Sequence, residues 1–445
     1  MSNRTVMEVI NPATHDSETP RAPRTQEETG LSPAFLFDLT LKTLYYQNEM
    51  KGSEISEAMR LPFNVLEETL ESMKRERLIE VKGNDGPSRA AYRYCILSAG
   101  RDRAREAMSV SRYVGPAPVS LAEYSRRVTL QNLGLERIPA ERLREAFAHM
   151  VMPAGLLERV GPAVAARKTL FLYGSPGNGK TMLAEAIGRS LGGGIHVPHA
   201  VEMDQQVIKV YDPVFHGEEE PVRGGSDGTP LSGDLPDRRW VKARRPVVFS
   251  GGELTLEMLD LTFNEREGFY QAPLQMKSDG GVFILDDFGR QMVQPRDLLN
   301  RWIVPLDRAV DYLTLHTGRK FPVPFRTLVI FATNLRPHDL VDEAFLRRIR
   351  YKISITDPSR MEYLEIFKRE AERNHIPGSE WAVDYLFDEY YERQGIPVRC
   401  CHPRDILEKV VDSARFAGGE PSLDADTLDR VCGSYFLSEE ADLNL

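Results

Sequence analysis

Apolar positions change their spacing several times along the 445-residue chain. Residues 1–30 are rich in Thr, Pro, Glu and Arg and have almost no periodic apolar positions, which predicts a disordered tail. Apolar residues at helical spacing then mark three short helices around Phe35, Ile55 and Val65. Two strand-like runs follow on either side of residues 83–87, whose Gly, Asn and Asp favour a tight turn.

The helices and strands just described form one region, and three more regions follow it. Three helices and a two-stranded wing over residues 31–110 resemble a winged helix-turn-helix domain. Residues 111–165 read as a linker and helices, because a Gly-Pro-Ala-Pro run precedes apolar positions at helical spacing. Short apolar runs alternate with helical stretches over 166–355, which predicts an α/β fold with a parallel sheet between layers of helices. Residues 356–445 show helical periods and no convincing strand, which predicts a small helical domain.

The first chemical motif follows a buried-strand pattern that ends at Tyr173. A glycine-rich loop there leads into a helix, so its backbone N–H groups and the helix dipole favour a bound phosphate. Lys180 is expected to reach the β- and γ-phosphates, and Thr181 to ligate Mg²⁺. The predicted cofactors are therefore ATP and Mg²⁺. The predicted nucleotide-binding residues are Gly174, Ser175, Pro176, Gly177, Asn178, Gly179, Lys180, Thr181 and Met182.

Polar residues end two later apolar runs. Asp286 and Asp287 follow Val282 to Leu285, and Asn334 follows another buried-strand pattern. Ligands of parallel sheets bind at the carboxyl ends of the strands, so these side chains are expected near the glycine-rich loop. Asp286 suits the Mg²⁺ shell, and Asp287 is placed to polarise the attacking water.

These motifs, in this order, resemble the AAA+ branch of P-loop ATPases. The resemblance implies that Asn334 is the sensor 1 residue, which contacts the γ-phosphate and the water. It implies an arginine finger at Arg347 or Arg348, within residues 342–349, that acts on the ATP of a neighbouring subunit. A homo-oligomeric ring, with a hexamer as the expected size, follows from that role. Arg404 matches sensor 2 in a C-terminal helical lid. Which of the two arginines is the finger stays open.

A hairpin-like alternation over residues 312–323, with its turn near Thr317 and Gly318, resembles the pre-sensor-1 hairpin of the AAA+ branch that includes MoxR-like chaperones and enhancer-dependent activators. In the activators, an aromatic-containing loop at a position similar to Phe269 and Tyr270 touches the client, although core packing of these rings is an equal alternative. Residues 202–245, rich in Gly, Pro and charge, predict a mobile insertion. Asp287 stands where Glu is familiar, which leaves the speed of hydrolysis open.

Composition limits where the protein is expected to be located and what it is expected to bind. The sequence has neither an apolar run of membrane-spanning length nor the apolar core of a signal peptide, and four cysteines give no disulfide or zinc pattern. We therefore expect a cytoplasmic protein without membrane insertion. The net charge of −9 argues against general coating of nucleic acid.

The leading hypothesis is a ring-forming ATPase that remodels a protein client which the sequence does not identify. A DNA-binding ATPase regulator or motor, and a slow nucleotide-gated scaffold, are the alternatives. Residues 31–110 contain twelve basic and twelve acidic residues, and the candidate recognition helix carries Glu67, Glu68 and Glu71 near its start. Carboxylates there oppose DNA phosphates, so we expect a protein-binding domain, with DNA binding possible but not favoured.

Overall fold

The computed structural model describes residues 19–133, 138, 140–218, 235–340 and 346–436. Within these ranges the chain builds an N-terminal helical region, a central parallel sheet, a second mixed sheet and a C-terminal helical region. None of the helices in these ranges has the length and apolar character needed to cross a bilayer.

The N-terminal region packs four helices and a three-stranded antiparallel sheet around one apolar core. Leu36, Ile55, Leu66 and Met73 are completely buried in it, which explains the helical spacing of apolar positions. The elements are α1 (Pro33–Gln47), β1 (Glu49–Lys51), α2 (Gly52–Met59), α3 (Phe63–Arg75), β2 (Ile79–Asn84), β3 (Tyr92–Ile96) and α4 (Ser98–Val110). The strands pair antiparallel in the order β1-β3-β2. The predicted helices and hairpin are thus present, and their assignment as a winged helix stays a prediction.

Residues 19–30 differ from the predicted disordered tail. Thr29 is buried, and its carbonyl oxygen accepts a hydrogen bond from Arg239 Nη1 at 3.0 Å. Ala22 N donates to Leu235 O at 2.8 Å, and Leu31 packs in the N-terminal core. The prediction was wrong for this part of the tail because tertiary partners more than two hundred residues away hold a segment that has no apolar period of its own. Residues 1–18 lie outside the described residues.

A connecting segment and then the α/β region follow the N-terminal region along the chain. The connecting elements are β4 (Val119–Ser120), α5 (Leu121–Leu133), α6 (Ala140–Phe147) and α7 (Leu156–Ala165). The α/β region then contains β5 (Leu170–Gly174), α8 (Lys180–Ser190), β6 (Gly194–Pro198), β7 (Ala200–Met203), β8 (Gln206–Lys209), β9 (Trp240–Arg244), β10 (Val247–Ser250), β11 (Thr262–Asn264), β12 (Phe269–Gln271), α9 (Leu274–Lys277), β13 (Val282–Leu285), α10 (Pro295–Arg308), β14 (Val310–Thr314), β15 (Lys320–Pro324), β16 (Leu328–Thr333), α11 (Pro337–Leu340) and β17 (Tyr351–Ile355).

The central sheet is parallel throughout, in the order β10-β13-β16-β5-β17. Leu172 and Ile284 point to the layer formed by α6, α7 and α8, whereas Phe283 and Phe331 point to α10 and its Trp302. Both faces are covered at the centre of the sheet, so β13 and β16 are buried at every position rather than at alternate ones. This three-layer arrangement confirms the predicted α/β fold and brings all carboxyl strand ends to one edge.

The strands of a second sheet, of order β11-β12-β8-β7-β4, are interspersed along the chain with those of the central sheet. Apolar residues of this second sheet pack with those of β14 and β15. Tyr270 is 1% exposed, and Phe269 packs against Tyr113 with ring centroids 5.6 Å apart. These aromatic rings therefore pack within the fold. The predicted hairpin is confirmed, since β14 pairs antiparallel with β15. Within the predicted insertion, β8 and β9 are ordered strands, and residues 219–234 lie outside the described residues.

The C-terminal region is helical, as predicted. A buried cluster that includes Tyr363, Phe367, Ile406 and Leu428 joins its helices. The helices are Arg360–Arg373, Ser379–Leu386, His402–Ala417 and Ala425–Tyr435, with a π-helical segment at Phe387–Glu392.

Candidate nucleotide-binding site

The glycine-rich loop lies between β5 and α8, at the carboxyl edge of the central sheet. Gly174 has φ of 149°, and a Cβ there would overlap the carbonyl oxygen of Ile355 on β17. Gly177 has φ of 78°, and a Cβ there would meet the sulfur of Cys401. Side chains are thus excluded at both positions by backbone conformation and by close neighbours, so the loop can follow the tight path that exposes its N–H groups.

Lys180 is folded over this loop. Its Nζ donates to Gly174 O at 3.0 Å and to Ser175 O at 2.8 Å, and the residue is only 7% exposed. Burial lowers the pKa of Lys180, while the nearby carboxylates of Asp286 and Asp287 oppose that shift. The ammonium group therefore lies in a partly desolvated position where phosphate oxygens would be strong acceptors. At the start of α8, Met182 is 48% exposed.

Thr181 and Asp286, the two predicted magnesium ligands, are hydrogen-bonded to each other. Thr181 Oγ1 donates to Asp286 Oδ2 at 2.8 Å, and Asp286 N donates to Ser250 O on β10 at 2.9 Å. Oxygen ligands suit Mg²⁺, which keeps several waters and takes only one or two protein carboxylates in phosphate sites. Within the described ranges no group of three or more His, Cys, Asp or Glu side chains could hold a metal ion. A Mg²⁺ ion bound to a nucleotide does not need such a group, because phosphate oxygens and waters supply most of its ligands.

Asp287 and Asn334 lie on neighbouring strand ends and are hydrogen-bonded to each other. Asn334 Nδ2 donates to Asp287 Oδ1 at 2.9 Å. Asp287 has φ of 47°, a left-handed conformation that Asp tolerates better than most residues. Next to it, Phe288 N donates to Ala332 O at 2.8 Å, which ties the turn to β16. The carboxylate is therefore held at the sheet edge with a fixed direction.

A contact between the loop and the helical region was not predicted. Asn178 Nδ2 donates to Asp357 Oδ1 at 2.7 Å, and Asn178 Oδ1 accepts from Cys400 N at 3.2 Å. Arg399 forms an ion pair with the same Asp357, and its charge lowers the pKa of Lys180. We call Asn178, Asp357 and Arg399 the lid clasp. No local motif marks Asp357 or Arg399, because their proximity to the loop depends on how the helical region packs.

Arg404, the predicted sensor 2, has a different environment. Its Nη2 donates to Asp405 Oδ1 at 2.8 Å, Glu408 lies 4.0 Å away, and the side chain is 55% exposed. Both partners belong to the same helix. In this structure Arg399, rather than Arg404, is the lid arginine that is linked to the glycine-rich loop.

Arg347 and Arg348 lie at the opposite edge of the sheet. They precede β17 and share a cavity with Lys168 and Thr169, which precede β5. Arg348 Nε also donates to Asp307 Oδ2 at 2.9 Å. Five strand residues at roughly 3.3 Å each separate this edge from the chain's own loop by about 16 Å. Residues 342–345 of the predicted finger segment lie outside the described residues.

The parallel sheet, the glycine-rich loop after β5 and the paired acids after β13 define this core as a P-loop α/β fold. A family model described as "Domain of unknown function (DUF8689)" matches residues 359–434. No curated protein matches the sequence. A solved structure of NtrX from Brucella abortus in complex with ATP is similar at 15% identity and a TM-score of 0.38, covering 68% of this chain and 57% of that chain.

Two further structures are similar at comparable levels. NtrX from Brucella abortus in complex with ADP has 15% identity and a TM-score of 0.40, with 78% of this chain and 70% of that chain covered. A mutant of RuvB from Thermotoga maritima has 12% identity and a TM-score of 0.33, with 67% and 72% covered. In the first comparison, with ATP-bound NtrX, the aligned part spans less than two thirds of the other protein.

Proposed function

We propose that the chain binds ATP with Mg²⁺ at the carboxyl edge of its central sheet and hydrolyses it to ADP and phosphate. The observation that carries this proposal is the convergence of residues from three strand ends. Thr181 bonds to Asp286 at 2.8 Å, and Asn334 bonds to Asp287 at 2.9 Å, beside the buried Lys180. Positioning and electrostatic stabilisation are what phosphoryl transfer requires of a protein.

Each residue has a distinct task in this reaction. Lys180 would donate to the β- and γ-phosphate oxygens, and Thr181 with Asp286 would hold Mg²⁺. When bound, the ion would neutralise charge on the phosphate oxygens. Asp287 would accept a hydrogen bond from the attacking water, whose oxygen forms the new bond to phosphorus while the bond to ADP breaks. Asn334 would orient Asp287 and that water.

Two substitutions separate binding from turnover. Lys180→Ala removes the charged donor to the phosphates, so ATP affinity should fall by about 100-fold or more, a loss of roughly 3 kcal/mol. Asp287→Asn keeps the size of the side chain, so affinity should change little while turnover falls by about 10² or more. Lys409→Ala on the exposed lid surface is the matched control. Normal ATP hydrolysis by the Lys180 variant would refute the site.

Intact protein that binds ATP but shows no turnover would instead favour the nucleotide-gated scaffold. Asp287 is one methylene shorter than Glu, so steady-state hydrolysis of the unmodified chain is the measurement that separates a switch from a motor.

We also propose that the ATPase is a homo-oligomeric ring that remodels a protein client. The position of Arg347 and Arg348 at the amino edge supports action on a neighbouring subunit, since about 16 Å of sheet separates them from their own loop. A guanidinium suits this role because it is always charged and bridges phosphoryl oxygens.

Ion pairs within the N-terminal region favour a protein client over DNA. Arg89 on the hairpin pairs with Glu67 at 2.8 Å and lies 3.9 Å from Glu71, both on α3. Arg93 pairs with Asp85 at 2.9 Å. Cations that are already neutralised release few counterions on meeting DNA. Titration of the full chain with duplex DNA over a salt series tests this; tight, saturable binding that is lost when Lys74, Arg75 and Arg77 are replaced by Ala would favour the DNA-directed alternative.

A further inference from the structure

A cavity of about 530 Å³ opens at the amino edge of the central sheet, opposite the glycine-rich loop. The turns before β5 and β16, the end of α10 and one face of α5 form its walls. It is therefore built from the central sheet and its flanking helices and does not belong to the ATP site proposed above.

The walls of this cavity carry positive charge. Arg167, Lys168 and Arg326 line it, together with Thr129, Asn132 and Thr327, and no Asp or Glu is among the described residues that do so. An adjoining cavity of about 500 Å³ shares Lys168 and contains a single acid, Asp307. The basic residues that it adds are Arg347, Arg348 and Arg350. The whole chain has a net charge of −9, so this edge is a positively charged region of a negatively charged protein.

Arg167 is bonded only to neutral acceptors. Its Nη1 donates to Asn132 Oδ1, and its Nη2 donates to Gly280 O at 3.1 Å. Its Nε is buried and has no partner within the described part of the chain, and the same holds for Thr327 Oγ1 in the same wall. A buried polar atom without a protein partner is costly, so these two atoms leave this wall with unsatisfied polar groups that a water or a bound acceptor would relieve.

Arg245 adds a second buried cation behind Arg167. It also donates to Gly280 O, and its Nε donates to Gly192 O at 2.8 Å. Burial lowers the pKa of Arg167 to about 10 and that of Arg245 to about 9, and the charges of Arg167 and Arg142 add to the second shift. Across the described ranges neither Arg167 nor Arg245 forms an ion pair with a carboxylate. Like charges are thus held together without internal compensation.

The backbone of Arg167 has φ of 49° just after the end of α7, a left-handed conformation that Gly also accepts. Arg60 and Arg77 have similar values, 56° and 57°, so the conformation alone does not distinguish Arg167. A glycine can therefore replace Arg167 without backbone strain.

We propose that this cavity binds a phosphate group, carried either by a free polyphosphate or nucleotide or by a nucleic-acid backbone. A guanidinium fork, an ammonium group and threonine hydroxyls offer many donors, and a tetrahedral dianion has more acceptor oxygens than a carboxylate. The site is separate from the glycine-rich loop and does not depend on ATP hydrolysis.

The test uses the Lys180→Ala chain, in which phosphate binding at the glycine-rich loop is removed. Isothermal titration with tripolyphosphate should show one remaining site. Adding Arg167→Gly should weaken this binding by tenfold or more, although glycine suits the backbone conformation at this position. The exposed Lys168→Gln should also weaken it and serves if the first variant fails to fold. Arg373→Gln, an equal loss of charge on the lid surface, should leave it unchanged.

The competing outcomes are distinct. Binding of tripolyphosphate but not of a single-stranded oligonucleotide would identify a free anion as the ligand. Binding of both, each displacing the other, would identify a nucleic-acid backbone. Absence of binding in the Lys180→Ala chain, equal affinity in the Arg167, Lys168 and Arg373 variants, or displacement of tripolyphosphate by an acidic peptide at lower concentration would overturn the proposal.

Discussion

At the carboxyl edge of the central sheet, Lys180 and Arg399 lie beside carboxylates, whereas at the amino edge Arg167 and Arg245 donate to backbone and amide oxygens. The same sheet supports both arrangements. Balanced charge at the first edge allows a nucleotide to arrive and leave, because the protein itself supplies alternative partners. The uncompensated charge at the second edge instead suits an anion that would neutralise it. The two edges therefore differ in whether the protein itself supplies the counter-charge.

The largest expected effect is a loss of turnover when the amino edge of one subunit no longer acts on the carboxyl edge of the next. Replacing both Arg347 and Arg348 by Ala should reduce turnover by about 10³ or more, as loss of an arginine finger does, with little change in ATP affinity. Mixing this variant with Asp287→Asn should restore part of the activity, because some interfaces then combine an intact finger with an intact acid. Steady-state hydrolysis against mixing ratio measures this.

Protein concentration supplies the control for that experiment. Activity of the unmodified chain should rise faster than linearly as subunits assemble. Strictly linear activity together with no recovery on mixing would show that each chain works alone. The arginines at the amino edge would then have no part in hydrolysis at the carboxyl edge of another subunit.

A smaller effect is expected at the lid clasp. Arg399→Gln should weaken ATP binding by about tenfold, near 1.4 kcal/mol, because it removes a cation linked through Asp357 to the glycine-rich loop. Arg404→Gln is the matched control and should change affinity less than about twofold, since its partners lie on its own helix. A larger effect at Arg404 would instead support the sensor 2 role that the family resemblance implies.

A further effect concerns acid pH and involves His402 at the carboxyl edge. Burial, followed by the charge of Arg399, lowers the pKa of His402 to about 4. Between pH 6.5 and 4 the unfolded state binds the extra proton, so stability of the lid falls as pH decreases, by about 2 kcal/mol at pH 5.

Hydrogen exchange of the helix His402–Ala417 at pH 7 and pH 5 measures that change. His402→Gln should remove most of the pH dependence. Tripolyphosphate binding at the amino edge, measured in the Lys180→Ala chain, should not follow the His402 transition. If both edges lose affinity together and the His402 variant behaves like the parent, the lid is not the acid-sensitive part.

The sequence allowed correct prediction of features that are local in the chain. The glycine-rich loop, the acids after β13 and the asparagine after β16 each combine a buried-strand pattern with a polar end, so strand periodicity alone brings them to one edge. The hairpin of β14 and β15 was equally accessible from its alternation and its turn.

Features that depend on packing could not be predicted in this way. Asp357 and Arg399 are separated by 42 residues and meet only after the helical region folds. Arg167 and Arg245 come from two separate segments and meet at Gly280 O, which belongs to a third. Residues 19–30 lack apolar periodicity, yet Arg239 and Leu235 hold them. In each case the position of the residue in the fold depends on a partner that is distant in the sequence, and the residue's own neighbours do not reveal that partner.

Strand β17 has a consequence for communication within the proposed ring. Arg347 and Arg348 precede it, Asp357 follows it, and its five residues pair in register with β5. Because β17 pairs with β5 along its whole length, it can transmit a displacement of one of its ends to the other. Displacement of the clasp when the lid moves would then shift the arginines that face the next subunit. Timing between successive subunits would in this way be set by one rigid element, without any long-range change of fold.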